Sequence, residues 1–320
     1  MVQQNNDLFP FELLSTDPLN LFHYGSLQEI DDQQPKRCFT VGLFDGIHLG
    51  HQTLLNELSE VSKKNVLCPS VWTFASHIPK PNFERLMPEP QLLRSLIQQG
   101  VEEVHRMDFT KEVSEMSALQ FLDEVLMKKL NAKAIVLGED AHMGKNRLSD
   151  IDDIESSCAQ LGLTLKRVKM EMQTQQQDWS SSKLRDWVRQ GNFENFQKAT
   201  GHPYCIGSIV EKDQGLARTL GFPTANLNMT GIACPPTGVY RVQVELPTLG
   251  LSKVGMAYLG SRPTVTKTAK KVLEVHIKDF DGDLYGDYIS LSHFEPLRPE
   301  QKFANVRELQ AQLERDVQRI

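Results

Sequence analysis

The sequence predicts two domains of different class: an α/β domain built on a parallel sheet, then a small antiparallel β-barrel closed by a C-terminal helix. Three observations predict this. Short apolar runs alternate with helical apolar stripes as far as residue 200, which is the pattern of a parallel sheet covered on both faces. From Tyr204 onward, period-two alternation with glycine-marked ends replaces it. A helical stripe returns after Pro299, with Phe303, Val306, Leu309, Leu313 and Val317 on one face. A chain of 320 residues is long for a single core, and its 40% hydrophobic and 24% charged content is ordinary for a globular protein. The expected boundaries are 1–186 for the first domain with its N-terminal arm, 187–202 for a helical linker and 203–320 for the second domain.

In order along the chain, residues 1–35 read as an arm in which Leu19–His23 forms a short helix or strand. A strand over 37–43 enters a glycine-punctuated turn, and a helix follows to about Lys63. Val66–Phe74 is the next strand, followed by a Pro-rich loop from His77 to Pro90. Leu92–Gln99 is a helix stopped by Gly100, and Val101–His105 a strand. Ser117 caps a helix over Ala118–Leu130. Ala134–Gly138, Ile151–Leu161 and Thr164–Met170 read as strand, helix and strand. A helix capped by Ser181 or Ser182 runs to the break at Gly191-Asn192, and another covers Phe193–Ala199. The barrel strands are Tyr204–Glu211, Val239–Glu245, Lys253–Leu259, Val272–Lys278 and Tyr288–Phe294. Asp279–Asp283 reads as a hairpin loop, and Pro299 opens the last helix.

Composition excludes several functions. The formal charge of −6 argues against a nucleic-acid partner, which needs concentrated Lys and Arg. Five scattered cysteines without a CxxC fit a reducing compartment. The first basic residue is Lys36, so no signal peptide is expected, and no run is long and apolar enough to span a bilayer. A cytoplasmic location follows as the expectation. No GxGxxG occurs, and Gly138…Gly144-Lys145-Asn146 misses the P-loop pattern.

The stretch Gly42-Leu43-Phe44-Asp45-Gly46-Ile47-His48-Leu49-Gly50-His51 carries the chemistry of the first half. A strand, a glycine turn and a helix N-terminus in that order form a natural phosphate site. His48 and His51 are three apart and share a face of the first helical turn. An ordinary βα turn with surface histidines is the rival reading. A zinc site is another, but no nearby Cys/His cluster completes four ligands.

The whole string resembles the HxGH signature of nucleotidyltransferases, in the form found in the bacterial bifunctional riboflavin kinase/FMN adenylyltransferase (FAD synthetase) family. In the second half, Gly215-Leu216-Ala217-Arg218-Thr219-Leu220-Gly221-Phe222-Pro223-Thr224-Ala225-Asn226 resembles the family's riboflavin kinase signature. Val272–His276, Phe280–Gly286 and Leu297–Phe303 match as well, and the resemblance covers roughly residues 37 to 318. It departs at Ala141 and Met143, where the family carries phenylalanines, and at Lys183, where it carries arginine.

The resemblance implies an α/β nucleotidyltransferase with a Rossmann-like parallel sheet, followed by an antiparallel β-barrel riboflavin kinase domain with a C-terminal helix. It implies phosphorylation of riboflavin to FMN in the barrel and adenylylation of FMN to FAD in the first domain. Glu274 is the implied base, and His48 and His51 stabilise the adenylyl transfer. Gly42, Phe44, Asp45, Gly46, Gly50, Asp140, Ser181, Ser182 and Arg185 are implied contacts of the adenylyl-transfer ligands. Gly215, Arg218, Gly221, Pro223 and Arg298 are implied contacts of the kinase ligands, and Thr224 and Asn226 the ligands of Mg²⁺, which prefers oxygen donors. ATP, riboflavin, FMN and FAD are the implied substrates and products. No nucleic-acid or membrane partner is expected, and the oligomeric state is left open. The alternatives are a kinase with an altered adenylyltransferase half, and a non-catalytic flavin or nucleotide sensor.

Overall fold

The computed structural model describes residues 19–30, 33–74, 83–169, 179–212, 221–262 and 270–320. It divides into two compact units, Met1–Phe83 with Pro90–Trp179, and Glu84–Glu89 with Ser180–Ile320.

The first unit is a six-stranded parallel sheet. Its strands are β1 (Asn20–Tyr24), β2 (Arg37–Val41), β3 (Cys68–Phe74), β4 (Glu103–Met107), β5 (Ala132–Gly138) and β6 (Thr164–Val168). Their order is β1-β4-β3-β2-β5-β6. The chain builds outward from β2 through β3 to β4, then returns to the other side of β2 for β5. The order therefore reverses between β2 and β5, and in open α/β sheets the ligand crevice lies outside the carboxyl ends of the strands at that point.

The helices are α1 (Leu49–Asn65), α2 (Glu89–Gln98), α3 (Lys111–Glu115), α4 (Ala118–Gln120) and α5 (Ile151–Leu161). Ser117 forms the expected cap, reinforced by a reciprocal bond with Gln120. Beyond Gln120 the stripe winds as a π-helix over Phe121–Met127. Leu19–His23 is resolved in favour of a strand, which pairs with β4 at the sheet edge.

Four strands meet at a buried polar network. Arg37 Nε donates to Glu103 Oε2 at 2.5 Å, Ser70 Oγ donates to the same oxygen at 3.3 Å, and His105 Nε2 lies 3.1 Å from it. Tyr24 Oη meets His105 Nδ1 at 3.0 Å, and Arg37 also donates to the carbonyls of Leu130 and Gln34. All five side chains are buried. Burial alone would raise the Glu103 carboxyl. Hydrogen bonds from His105 and Arg37, with the Arg37 charge, outweigh it and hold the group down at about 2.

The second unit is a closed barrel of β7 (Cys205–Glu211), β8 (Ala225–Leu227), β9 (Gly238–Leu246), β10 (Leu251–Arg262), β11 (Lys270–Ile277) and β12 (Tyr288–Pro299). The order around it is β10-β11-β8-β7-β12-β9, closed by β9 on β10. Val242, Val244, Ala257, Val275, Ile289 and Leu291 fill the interior.

Several expectations are corrected here. Asp279–Asp283 is not a hairpin loop, because β11 and β12 are not neighbours: β8 and β7 lie between them. Pro299 closes β12 instead of opening a helix, since its neighbours pair with β9 as far as Gly238. The last helix, α8 (Val306–Val317), starts from Asn305, whose side chain accepts from Glu308 N. α8 is held by a buried acid: Asp316 accepts from Arg298 Nε and from Gln312 Nε2, each at 2.8 Å.

α6 (Ser181–Gln190) and α7 (Phe193–Thr200) precede the barrel within this unit. The cap of α6 is Ser180, not Ser181 or Ser182; its hydroxyl accepts from Lys183 N. The segment Glu84–Glu89 also belongs here. Arg85 N donates to Gly231 O at 2.7 Å, and Ala233 N donates to Arg85 O at 2.8 Å.

Candidate functional site

β2 delivers the chain to the turn at the point where the sheet order reverses. Gly42 N still bonds Trp72 O at 3.0 Å, and the next residues leave the sheet. A Cβ at Gly42 would stand 3.2 Å from the Phe44 ring, so glycine makes room for that buried side chain. Phe44, Gly46 and Ile47 all have positive φ, at 51°, 84° and 34°. For the β-branched Ile47 this conformation is strained, at a cost of about 1–3 kcal/mol. It is held by Ile47 N to Phe44 O at 3.2 Å and by Gln52 Nε2 to Ile47 O at 3.0 Å. Asp45 is buried within the turn, and Gly50 falls in the first turn of α1.

His48 is the N-cap of α1, where its Nδ1 accepts from His51 N at 3.4 Å. A ring nitrogen that accepts from an amide carries no proton, so the neutral His48 ring bears its proton on Nε2, as a donor. The two imidazoles stack at 3.8 Å with 18° between planes, and Phe44 lies 5.2 Å from His51. Burial first, and then repulsion from His48 whenever that ring is charged, pushes His51 down to about 3. His51 is therefore neutral at physiological pH, and its Nδ1 is buried without a partner among the described residues. The arrangement offers neutral N–H donors at a helix N-terminus, which suits phosphate oxygens.

β5 ends beside this turn. A Cβ at Gly138 would stand 2.8 Å from Asp140 Oδ1, so the glycine lets that carboxylate fold back over the strand end. His142 Nδ1 donates to Asp140 O at 2.9 Å. Met143 pairs with Ser149 through backbone bonds of 2.9 and 3.2 Å, and its side chain joins the hydrophobic core, against which Ala141 also packs.

In the barrel, a cavity of about 320 Å³ is lined by Thr224, Asn226, Phe280, Asp283 and Tyr285, among others. β8 aligns Asn226 with Glu211 on one side and Glu274 on the other. Directly opposed residues point to the same face of a sheet, with Cβ atoms about 4.5–5.5 Å apart. Glu211, Asn226 and Glu274 thus form one cross-strand row; Asn226 reaches the cavity, while Glu274 is not among its lining residues. Gly221, at φ 87°, and the exposed Pro223 lead into β8. His276 Nδ1 meets Pro223 O at 3.0 Å, and the Phe222 ring packs edge-on against the imidazole. Gly215 and Arg218 lie outside the described residues.

Ser181, Ser182 and Arg185 fall in the second unit, whereas His48, His51 and Asp140 fall in the first. Arg185 Nε donates to Glu84 O at 2.6 Å. Arg298 is engaged with Asp316, and its guanidinium lies 5.8 Å from the Phe303 ring. Sequence reasoning matched the segments Val272–His276 and Phe280–Gly286 to the family but gave no role to His276 or to the residues of Phe280–Tyr285 that line the cavity, and it passed over Glu211. For His276 the available signal was its place two residues beyond Glu274, on the same face of an alternating strand.

Thr224 and Asn226 suit Mg²⁺, since both are neutral oxygen donors on one cavity wall. Among the described residues no group of three or more His, Cys, Asp or Glu could hold a metal ion.

A FAD synthetase family model matches residues 30–183, and a riboflavin kinase family model matches residues 200–320. The bifunctional riboflavin kinase/FMN adenylyltransferase of Pseudomonas fluorescens is 33% identical over 289 residues, covering 87% of this chain and 90% of its own. That of Escherichia coli K12 is 33% identical over 286 residues, with 87% and 89% covered. That of Bacillus subtilis strain 168 is 30% identical over 302 residues, with 90% and 93% covered. A solved structure described as a macrolide-efflux protein from Streptococcus pneumoniae superposes with a TM-score of 0.76 at 27% identity, covering 93% of this chain and 97% of that one. In the present chain no described helix is long and apolar enough to cross a membrane.

Proposed function

The chain belongs to the bifunctional riboflavin kinase/FMN adenylyltransferase family, enzymes of FAD biosynthesis, and from that premise we propose how its residues divide the work. It is a transferase with two activities: it phosphorylates riboflavin with ATP to give FMN, and joins FMN to AMP from ATP to give FAD and pyrophosphate.

In the barrel, Glu274 takes the proton of the riboflavin 5′-hydroxyl as that oxygen bonds to the γ-phosphorus and ADP leaves. Thr224 and Asn226 would hold Mg²⁺, which when bound neutralises phosphate charge. The observation that carries this reading is the β8–β11 register, which pairs Glu274 directly with Asn226, a residue that lines the cavity. The family's motif assigns Gly215, Arg218, Gly221 and Pro223 to the ATP phosphates, and Arg298 supports the flavin side while braced by Asp316.

In the α/β domain, an FMN phosphate oxygen attacks the α-phosphorus of ATP, and pyrophosphate departs. The attacking group is already anionic, so no strong base is required. His48 and His51 donate to the phosphates as charge moves onto the leaving group. The Gly42–Gly50 turn and Asp140 shape that pocket from the ends of β2 and β5. The family's motif assigns Ser181, Ser182 and Arg185 to the triphosphate.

The partners are small molecules, with no nucleic acid or membrane among them. A cytoplasmic location is supported by five free thiols. Incubation with riboflavin, ATP and Mg²⁺, followed by chromatographic separation of the flavins, tests the whole reading. FMN and FAD together are expected. FMN alone would favour a kinase with an altered adenylyltransferase half, the reading to which Ala141 and the core position of Met143 point. Neither product would leave a binding protein.

A further inference from the structure

We propose that His276 is a positioning residue of the kinase site, holding Thr224 in place through the carbonyl of Pro223. The inference rests on the kinase reading of the barrel.

The β8–β11 ladder is short. Its pairs are Leu273 with Leu227, Glu274 with Asn226 and Val275 with Ala225. One step further, His276 would oppose Thr224, but the ladder has ended and β11 continues there on β10 alone, with Met256 opposite His276. At that step the side chain takes over. His276 Nδ1 meets Pro223 O at 3.0 Å, and the Phe222 ring packs against the imidazole at 5.6 Å and 75°. A carbonyl can only accept, so Nδ1 carries the proton. Proline has no backbone N–H, so its carbonyl is the one backbone group on that residue that can be held.

Thr224 is thus fixed on both sides, by the Pro223 clamp before it and by the Ala225 ladder pair after it. Asn226 and Glu274 are fixed by the ladder itself. Loss of the clamp therefore releases Thr224 and the approach to it, and leaves the base where it was. Ground-state ATP binding weakens while the chemical step is largely kept, a pattern distinct from loss of a group acting only in the transition state.

The test compares His276→Leu with His276→Asn, whose amide nitrogen stands close to where Nδ1 stood. For His276→Leu, the ATP KM of FMN formation rises about ten-fold, the scale of one lost hydrogen bond, and kcat stays within about three-fold. His276→Asn returns the KM toward the parent value, and FAD formation from supplied FMN is unchanged in both. An unchanged KM in His276→Leu overturns the proposal. So does a fall in kcat alone, or an asparagine variant no better than leucine. If His276→Leu does not fold, His276→Gln, whose amide reaches the Nε2 position instead, takes its place in the comparison. ATP titration calorimetry reads the clamp as weakening of one of two ATP sites even where no FMN is made, so failure of the kinase reading and failure of the clamp are separate results.

Discussion

Asn226 and Glu274 face each other as partners in the middle of the β8–β11 ladder. The proposed metal ligand and the proposed base are thereby held at one spacing by backbone hydrogen bonds, which is how a rigid element keeps a constellation tight. Glu274→Gln preserves size and removes the proton acceptor. FMN formation is expected to fall by about 10²–10⁴-fold, the usual contribution of a general base, while FAD formation from supplied FMN persists. Survival of both steps at full rate would remove Glu274 from the chemistry.

His48 caps α1 and, in the proposed adenylyl transfer, also presents Nε2–H; one substitution separates the two. Asparagine is a good N-cap, so His48→Asn keeps the helix start while removing the imidazole. Adenylyl transfer is expected to drop by about 10²–10³-fold, with the melting temperature and FMN formation held near the parent. A large loss of stability in this variant would show that the ring is chiefly structural.

The depressed His51 sets a pH dependence. Folded, it titrates near 3 against an ordinary 6.5, so the unfolded chain takes up a proton that the folded chain refuses. Stability from this residue is full above about 6.5 and is lost as pH falls toward 3. Glu103 acts lower: its stabilisation is full above 4.5 and is lost as pH falls toward 2. Denaturant titrations at pH 7 and pH 5 should show a smaller drop for His51→Asn than for the parent. Equal drops would contradict the burial of that ring.

The Arg37–Glu103 pair is fully enclosed. Arg37→Met leaves an uncompensated carboxylate in the sheet, and a loss of about 3–5 kcal/mol from the first unit is expected. The double variant Arg37→Met, Glu103→Met removes both charges and should recover much of that loss in thermal melts. A double variant worse than the single would instead place the stabilisation in the wider network around His105.

Much of the architecture was legible because local rules and the fold agreed. The Ser117 cap, the strand ending at Gly138, and the alternation in β9 and β11 can each be read from one face or one terminus. What escaped depends on partners distant in sequence. β8 is three residues long, inside a Gly/Pro segment, and too short to show a period; only pairing with β7 and β11 makes it a strand. Pro299 looked like a helix start because its next residues are amphipathic, yet the barrel claims it first. Arg37 and Glu103 are 66 residues apart, and nothing local announces that they meet. Arg185 was assigned to a ligand by its motif, and its bond to Glu84 O, 101 residues away, is visible only in three dimensions.

Glu84 to Glu89 has a practical consequence for dissecting this enzyme. Arg85 supplies the backbone partners of Gly231 and Ala233, while the Glu84 carbonyl accepts from Arg185 and its carboxylate from Arg189. No single cut in the polypeptide therefore yields an intact barrel unit: a fragment begun at Ser180 lacks six of its own residues, and the remainder keeps six that pack elsewhere. A kinase half expressed alone should be less stable than the same unit in the full chain, and a synthetic peptide spanning 84–89, added back, is the natural complement to try.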